Sequence, residues 1–294
     1  MLCAFSAPWS NSVYLNGYPA NEIGFAGVNP NANIMVLKDS DSLKQSNTTL
    51  TAKAIDYAIK MGAKVINLSL YGENTNQTEY DVIKRANNNN ITTVAGCGNN
   101  GTEKIGYPAA YEETIAVGGT GPDDKRYSAS NYGAEIDIVA PGMYIFKLDE
   151  TDTSRYNLYS DGTSHSTAYT TGVVSLLLSK NPTLTPAQIK EILHQSADDQ
   201  VGDPSEDTKG WDKYFGYGRL NAYNALKLAS GVTKPQRLRQ ITLAKPQTNL
   251  TFTNTLQKDG MRYYYTLAGR MAAAAAAPGR VHVTPGLYVH RPQE

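Results

Sequence analysis

The sequence predicts an α/β fold of three layers, in which a mostly parallel central sheet lies between helices on both faces. Two observations predict it. Strand-like and helix-like segments alternate once past the first couple of dozen residues, as crossover connections between parallel strands require. The strand-like runs KVINLSL and ITTVAGC are apolar along nearly their whole length, which is how strands covered on both faces read.

Residues 32–37, ANIMVL, read as the first strand of this pattern. TLTAKAIDYAIKMG follows, with Ala54, Ile55, Ala58 and Met61 along one helical face, and KVINLSL closes a strand, helix, strand unit. TEYDVIKRANNNN reads as a helix ending in a polar stop before the buried strand ITTVAGC, and TIAVGG and IDIVAPG continue the sheet. STAYTTGVVSLLLSKNP is an apolar helix closed by Asn181 and Pro182. LTPAQIKEILHQSA is another, with Thr185 as N-cap and Pro186 at its first position. GWDKYFGYGRLNAYNALKLAS supplies a last turn and helix, and the pattern fades near Gly231. Residues 1–230 therefore form the main domain. Residues 231–294, rich in Gln, Thr and Pro and carrying the run MAAAAAAPG, form a linker and small tail.

Composition narrows the function classes. Basic and acidic residues balance at 27 each, which disfavours nucleic acid or an anionic membrane surface as partner. No apolar run reaches the roughly 18–20 residues of a membrane-spanning helix. Cys3 and Cys97 allow one disulfide at most and lack the neighbours of a metal or CxxC redox site, so two free thiols are expected. The start MLCAFSAPWSNSVYL has no basic n-region and no long apolar core; an exported protein would carry its signal upstream of Met1.

Two segments carry chemistry. DGTSHSTAYTTG, residues 161–172, sets Ser164 just after Gly162 and Thr163 at the start of a long helix. Free amides and a partial positive potential there favour an alkoxide-like nucleophile, although a serine before a helix also serves as a plain N-cap. AGCGNNG, residues 95–101, spells GxGxxG after a strand, with Asp123 about 20 residues on. A dinucleotide site also needs a helix after Gly101, and TEKIGYPAAYEE contains Gly106, Pro108 and no apolar period. Asn99, in a Gly-rich loop at the carboxyl end of a parallel strand, sits where α/β proteins bind ligands; alternatively it is a turn residue.

In unbroken order over roughly residues 21–228, these segments resemble the subtilisin-like serine peptidases. GFAGVNPNANIMVLK is similar to the segment after that family's catalytic histidine helix, AKVINLSLYG to its substrate-binding strand, and TTVAGCGNNG to the strand and loop of its oxyanion asparagine. YPAAYEETIAVGG, YSASNYG and IDIVAPG follow as in the family, then the nucleophile region DGTSHSTAYTTGVVSLLLSKNPTLTPAQIKEIL and the closing helix. The resemblance implies a subtilisin-like serine endopeptidase, secreted or at the cell surface, acting on peptide or protein substrates. Ser164 would form the acyl-enzyme and Asn99 would donate to the oxyanion, together with the Ser164 amide. Ser69, Leu70 and Gly72 would form one wall of the cleft and pair with the peptide as an added strand. Cys97 and Gly98 would line the floor of the main specificity pocket. No cofactor is implied for the chemistry, and structural calcium is allowed; Asn21 lies near one such loop, without evident carboxylates around it.

The departures are as informative. The family triad runs Asp, His, Ser, with the first two in motifs of the type DTG and HGTH. Neither motif occurs here, and the histidines, His165, His194, His282 and His290, all follow the point where the catalytic one belongs. MLCA resembles the tail of an HGTxCA motif, which would put the histidine just before Met1. The chain by itself is therefore expected to be nearly inactive, to expose a sheet edge and to fold poorly; its main rival is an inactive relative that binds peptides in the same cleft. Tyr71 stands where the family usually has glycine beside the cleft, and His165 where it usually has methionine. The tail, with YxLxGR and PGLYV, resembles C-terminal sorting tails of type IX secretion and reads equally as a β hairpin.

Overall fold

The computed structural model describes residues 27–39, 47–147 and 158–231, together with the backbone of short strands at 2–6 and between 255 and 289. Among the described residues, eight strands and five helices build the main domain: β1 (Leu2–Ser6), β2 (Asn33–Leu37), α1 (Thr48–Lys60), β3 (Val65–Leu68), α2 (Gln77–Asn88), β4 (Thr92–Gly96), β5 (Thr114–Thr120), β6 (Ile138–Pro141), β7 (Ile145–Lys147), β8 (Leu158–Ser160), α3 (Thr163–Lys180), α4 (Pro186–Ser196) and α5 (Ala222–Ala229).

The central sheet has the order β2-β1-β3-β4-β5-β6, with β3 to β6 parallel. Successive side chains on a strand face opposite sides, and both sides are apolar here. Ile66, Leu68, Ala95 and Ala116 pack with Ile55 and Ala58 of α1 and Ile83 of α2. Their strand neighbours Val65, Val94, Ile115 and Val117 pack with Val174 and Leu177 of α3 and Ile189 and Leu193 of α4. Two buried faces explain why these strands read as continuous apolar runs, and they produce the three layers.

The helices begin where short polar side chains can accept their first free amides. Asn47, Asn76 and Asn221 cap α1, α2 and α5. At α4 Thr185 and Gln188 form a reciprocal capping box, with Pro186 in the first turn. Residues 102–113 hold no helix, so the glycines of AGCGNNG open onto no helix N-terminus and the dinucleotide alternative falls away.

β1 lies antiparallel along β3, with Leu2 opposite Leu68 and Phe5 opposite Val65, and β2 pairs on the far side of β1 as the terminal strand of the sheet. Unpaired ladder groups on an otherwise buried strand each cost about 1–3 kcal/mol, so an extended segment within reach is drawn onto such an edge. In the tail, short antiparallel strands at Thr255–Lys258, Met261–Tyr265 and Met271–Ala275 form a three-stranded sheet. Val281–His282 and Tyr288–Val289 pair as a second, two-stranded piece, while residues 232–254 of the proposed linker and Asn21 lie outside the described residues.

Candidate active site

The site forms at the carboxyl ends of β3 and β4, where α3 begins. Gly162 is the N-cap of α3 with φ 152°, a conformation that disfavours any residue with a Cβ, and its amide donates to the Gly142 carbonyl at 2.7 Å. Ser166 Oγ donates to the carbonyl of Ala140 at 2.9 Å, and Thr167 Oγ1 to that of Thr163 at 2.7 Å, so the first turn is fastened to β6 and to itself. Ser164 is thereby presented half-exposed on a rigid helix terminus.

Asn99 reaches the same turn from 64 residues earlier. Its Oδ1 accepts the Thr163 amide at 2.9 Å. A peptide N–H can bond only the oxygen of a carboxamide, so this bond sets the orientation of the Asn99 amide and leaves Nδ2 as a donor beside Ser164. The Ser164 amide has no acceptor among the described residues. Two convergent donors and a hydroxyl are what acyl transfer needs. Ser164 and Asn99, separate candidates in the sequence, are brought together.

Ser69 closes the other side. Its Oγ donates to the Ser164 carbonyl at 3.0 Å and accepts from Asn67 Nδ2 at 2.9 Å, while Thr171 Oγ1 donates to Asn67 Oδ1 at 2.9 Å. This chain of bonds ties the end of β3 to two turns of α3. Leu70 is half-buried and packs on the core beside α1 and α2.

Two expected site residues take other roles. Cys97 does not present its side chain to a pocket floor. It is fully buried, with Sγ 3.1 Å from the Asn131 carbonyl, because odd positions at this point of β4 face the helix layer. Burial pushes the thiol up to about 12, so Cys97 is an inert free thiol. Gly72 pairs both ways with Tyr107, its amide donating at 2.7 Å and its carbonyl accepting at 2.8 Å, so its N–H is not free to pair with an incoming peptide. Gly98 has φ 112°, and a Cβ there would lie 2.4 Å from Asn131 Nδ2, so the loop requires glycine at this position.

Asn131 is the site residue that sequence reasoning missed. Nearly fully buried, it accepts through Oδ1 from the amides of Asn100 and Thr102 and donates through Nδ2 to the carbonyls of Cys97 and Lys104. It is a positioning residue for the loop that carries Asn99. Its place inside YSASNYG was the only sequence signal. Asn131→Ala should cost about 2–4 kcal/mol in a thermal melt, since buried groups on both sides lose their partners. Asn131→Asp, which keeps the two acceptor bonds, should recover part of that loss.

The two histidines whose side chains are described, His165 and His194, are engaged elsewhere. His165 Nε2 lies 2.7 Å from Ser160 Oγ; His194 Nε2 lies 2.9 Å from Asp137 Oδ1 and stacks on Tyr217. No described residue hydrogen-bonds the Ser164 hydroxyl, and no described group of three or more His, Cys, Asp or Glu side chains could hold a metal ion. A cleft of about 450 Å³ between α4 and the start of β5 lies at the amino ends of the strands, away from Ser164.

Comparison with known proteins matches this architecture. The model of the Subtilase family, Peptidase S8, matches residues 15–218. A thermophilic serine proteinase of Bacillus sp. (strain AK1) is 36% identical over 206 residues, covering 70% of this chain and 48% of that protein. Thermitase of Thermoactinomyces vulgaris is 35% identical over 207 residues, covering 70% of each. The protease domain of PatA superposes with TM-score 0.63 at 25% identity, over 72% of this chain and 76% of that one. The chain spans about half the length of several curated relatives it matches.

Proposed function

Because this chain belongs to the subtilase family, we propose that it carries the acyl-enzyme chemistry of a serine endopeptidase, with Ser164 as nucleophile and Asn99 as oxyanion donor. The observation that carries the proposal is the 2.9 Å bond from the Thr163 amide to Asn99 Oδ1, which sets the Asn99 amide beside Ser164 with its NH2 group available.

In the proposed reaction Ser164 Oγ attacks the peptide carbonyl carbon while its proton passes to a general base. The carbonyl oxygen becomes an anion held by Asn99 Nδ2 and the Ser164 amide. Collapse breaks the C–N bond, the departing amine takes the proton from the base, and water then releases the acyl group by the same path. No described side chain hydrogen-bonds the Ser164 hydroxyl, so the general base, a histidine oriented by an aspartate in this class of chemistry, is not assigned to a described residue. Cations play no part in these steps. Substrates are peptides or proteins, and the site of action is extracellular; a cell wall-associated protease of Bacillus subtilis (strain 168) is 34% identical over 240 residues.

The test is active-site labelling with a fluorophosphonate, read by peptide mass spectrometry. An adduct on Ser164 is expected in a chain extended upstream by its own coding sequence, with little or none in residues 1–294 alone. Absence of an adduct from both would favour a peptide-binding module over an enzyme.

A further inference from the structure

Tyr71 follows Ser69 and Leu70, and its side chain lies against the residues on either side of Asn99, Gly98 and Asn100. A methyl group built on Gly106 would sit 2.9 Å from Tyr71 Cδ2, and one built on Gly98 3.3 Å from the same atom. The ring therefore rests directly on two glycine backbones. Its Oη is held by Asn100 Oδ1 at 2.8 Å, one residue beyond Asn99. Gly98 and Gly106 belong to one unit, since the Gly106 amide donates to the Cys97 carbonyl at 2.9 Å and Asn131 ties that carbonyl to the 100–104 loop. Two adjacent side-chain-free backbones make a slot, and an aromatic ring fills it. With 37% of its surface still exposed, Tyr71 sits at the mouth of that slot rather than in the core.

We infer that Tyr71 is a specificity-determining plug: its ring occupies the space for the side chain of the residue that supplies the scissile carbonyl, and so restricts that residue to glycine or alanine. This rests on the proteolytic reading above. A carbonyl seated between Ser164 and Asn99 must project its side chain along the wall formed by Ser69–Tyr71 and the backbone of Gly98, which is where the ring lies. A larger side chain enters only if the ring swings out, giving up its packing on both glycines and its bond to Asn100. Steric exclusion of this kind discriminates by more than the 10- to 200-fold that one methylene in an apolar pocket provides.

The test is a panel of peptides that differ only at the residue supplying the scissile carbonyl, Gly, Ala, Leu or Phe. It uses the full chain with any encoded segment preceding Met1, in wild type, Tyr71→Gly and Tyr71→Ala. Wild type should prefer Ala over Phe by about a hundredfold or more in kcat/KM, and both variants should reverse or erase that ratio while remaining folded, as read by a cooperative thermal melt. Equal use of Ala and Phe by wild type, or a ratio unmoved by either variant, overturns the plug while leaving proteolysis intact. The same peptides ended as free carboxylates and titrated by NMR give a readout independent of turnover: Phe-ended peptides should bind the variants and not wild type, and binding of both endings to wild type also overturns the plug. If no variant cleaves or binds any peptide, the proteolytic reading itself fails and the plug falls with it.

Discussion

Ser164→Ala should lower kcat for peptide hydrolysis by about 10⁴- to 10⁶-fold in a catalytically complete form of the protein, roughly 5–8 kcal/mol of barrier, as in subtilisin. The residue that remains after such a change is not zero, because two oxyanion donors and the cleft still act on bound peptide. The fold should not register the change. The Ser164 side chain has no described hydrogen-bond partner, and the bond that matters structurally, Ser69 Oγ to the Ser164 carbonyl, uses backbone that alanine retains. A melting temperature within about a degree of wild type, alongside complete loss of fluorophosphonate labelling, is the expected pair of results. Labelling that persists on another residue would move the nucleophile elsewhere.

Asn99 is expected to have the second largest effect, and two substitutions separate its roles. Asn99→Ala removes both the donor to the oxyanion and the acceptor for the Thr163 amide. It should lower kcat by about 10²- to 10³-fold with KM nearly unchanged, again the magnitude known for subtilisin, and should cost about 0.5–2 kcal/mol for the stranded helix-terminal amide. Asn99→Asp restores an acceptor, and a negative charge at the start of α3 is favourable, so stability should return to wild type or exceed it. Catalysis should not return, since a carboxylate has no proton to donate and repels the developing oxyanion. Calorimetry together with steady-state kinetics reads both quantities; an Asn99→Asp protein with substantial turnover would remove Asn99 from the oxyanion site.

The contrast between these residues and Asn131 shows what could be read before the fold was known. Ser164 and Asn99 stand in local patterns with their own signals, a serine at a helix start and an asparagine in a glycine-rich loop after a strand. The Asn131 carboxamide gathers partners 27 to 34 residues away, and no local pattern marks it. Cys97 was misread for a related reason. The two faces of a strand alternate, and Cys97 falls on the face that α1 and α2 cover.

By itself the amino-acid sequence determined the types and order of the strands β2 to β6 and of the five helices, the two-sided burial of β3 and β4, the cap of α4 and the placing of a hydroxyl at the start of α3, because each depends on periodicity or on neighbours within one turn. Tertiary structure alone decided that β1 fills the edge of β3, that Asn99 bonds the residue before Ser164, that Asn131 ties the loop between them, and that the Tyr71 ring lies in the slot over Gly98 and Gly106. Those outcomes depend on strand register and on which rotamers remain once the helices are docked. Both are set by contacts between segments that the chain brings together only when the sheet has formed.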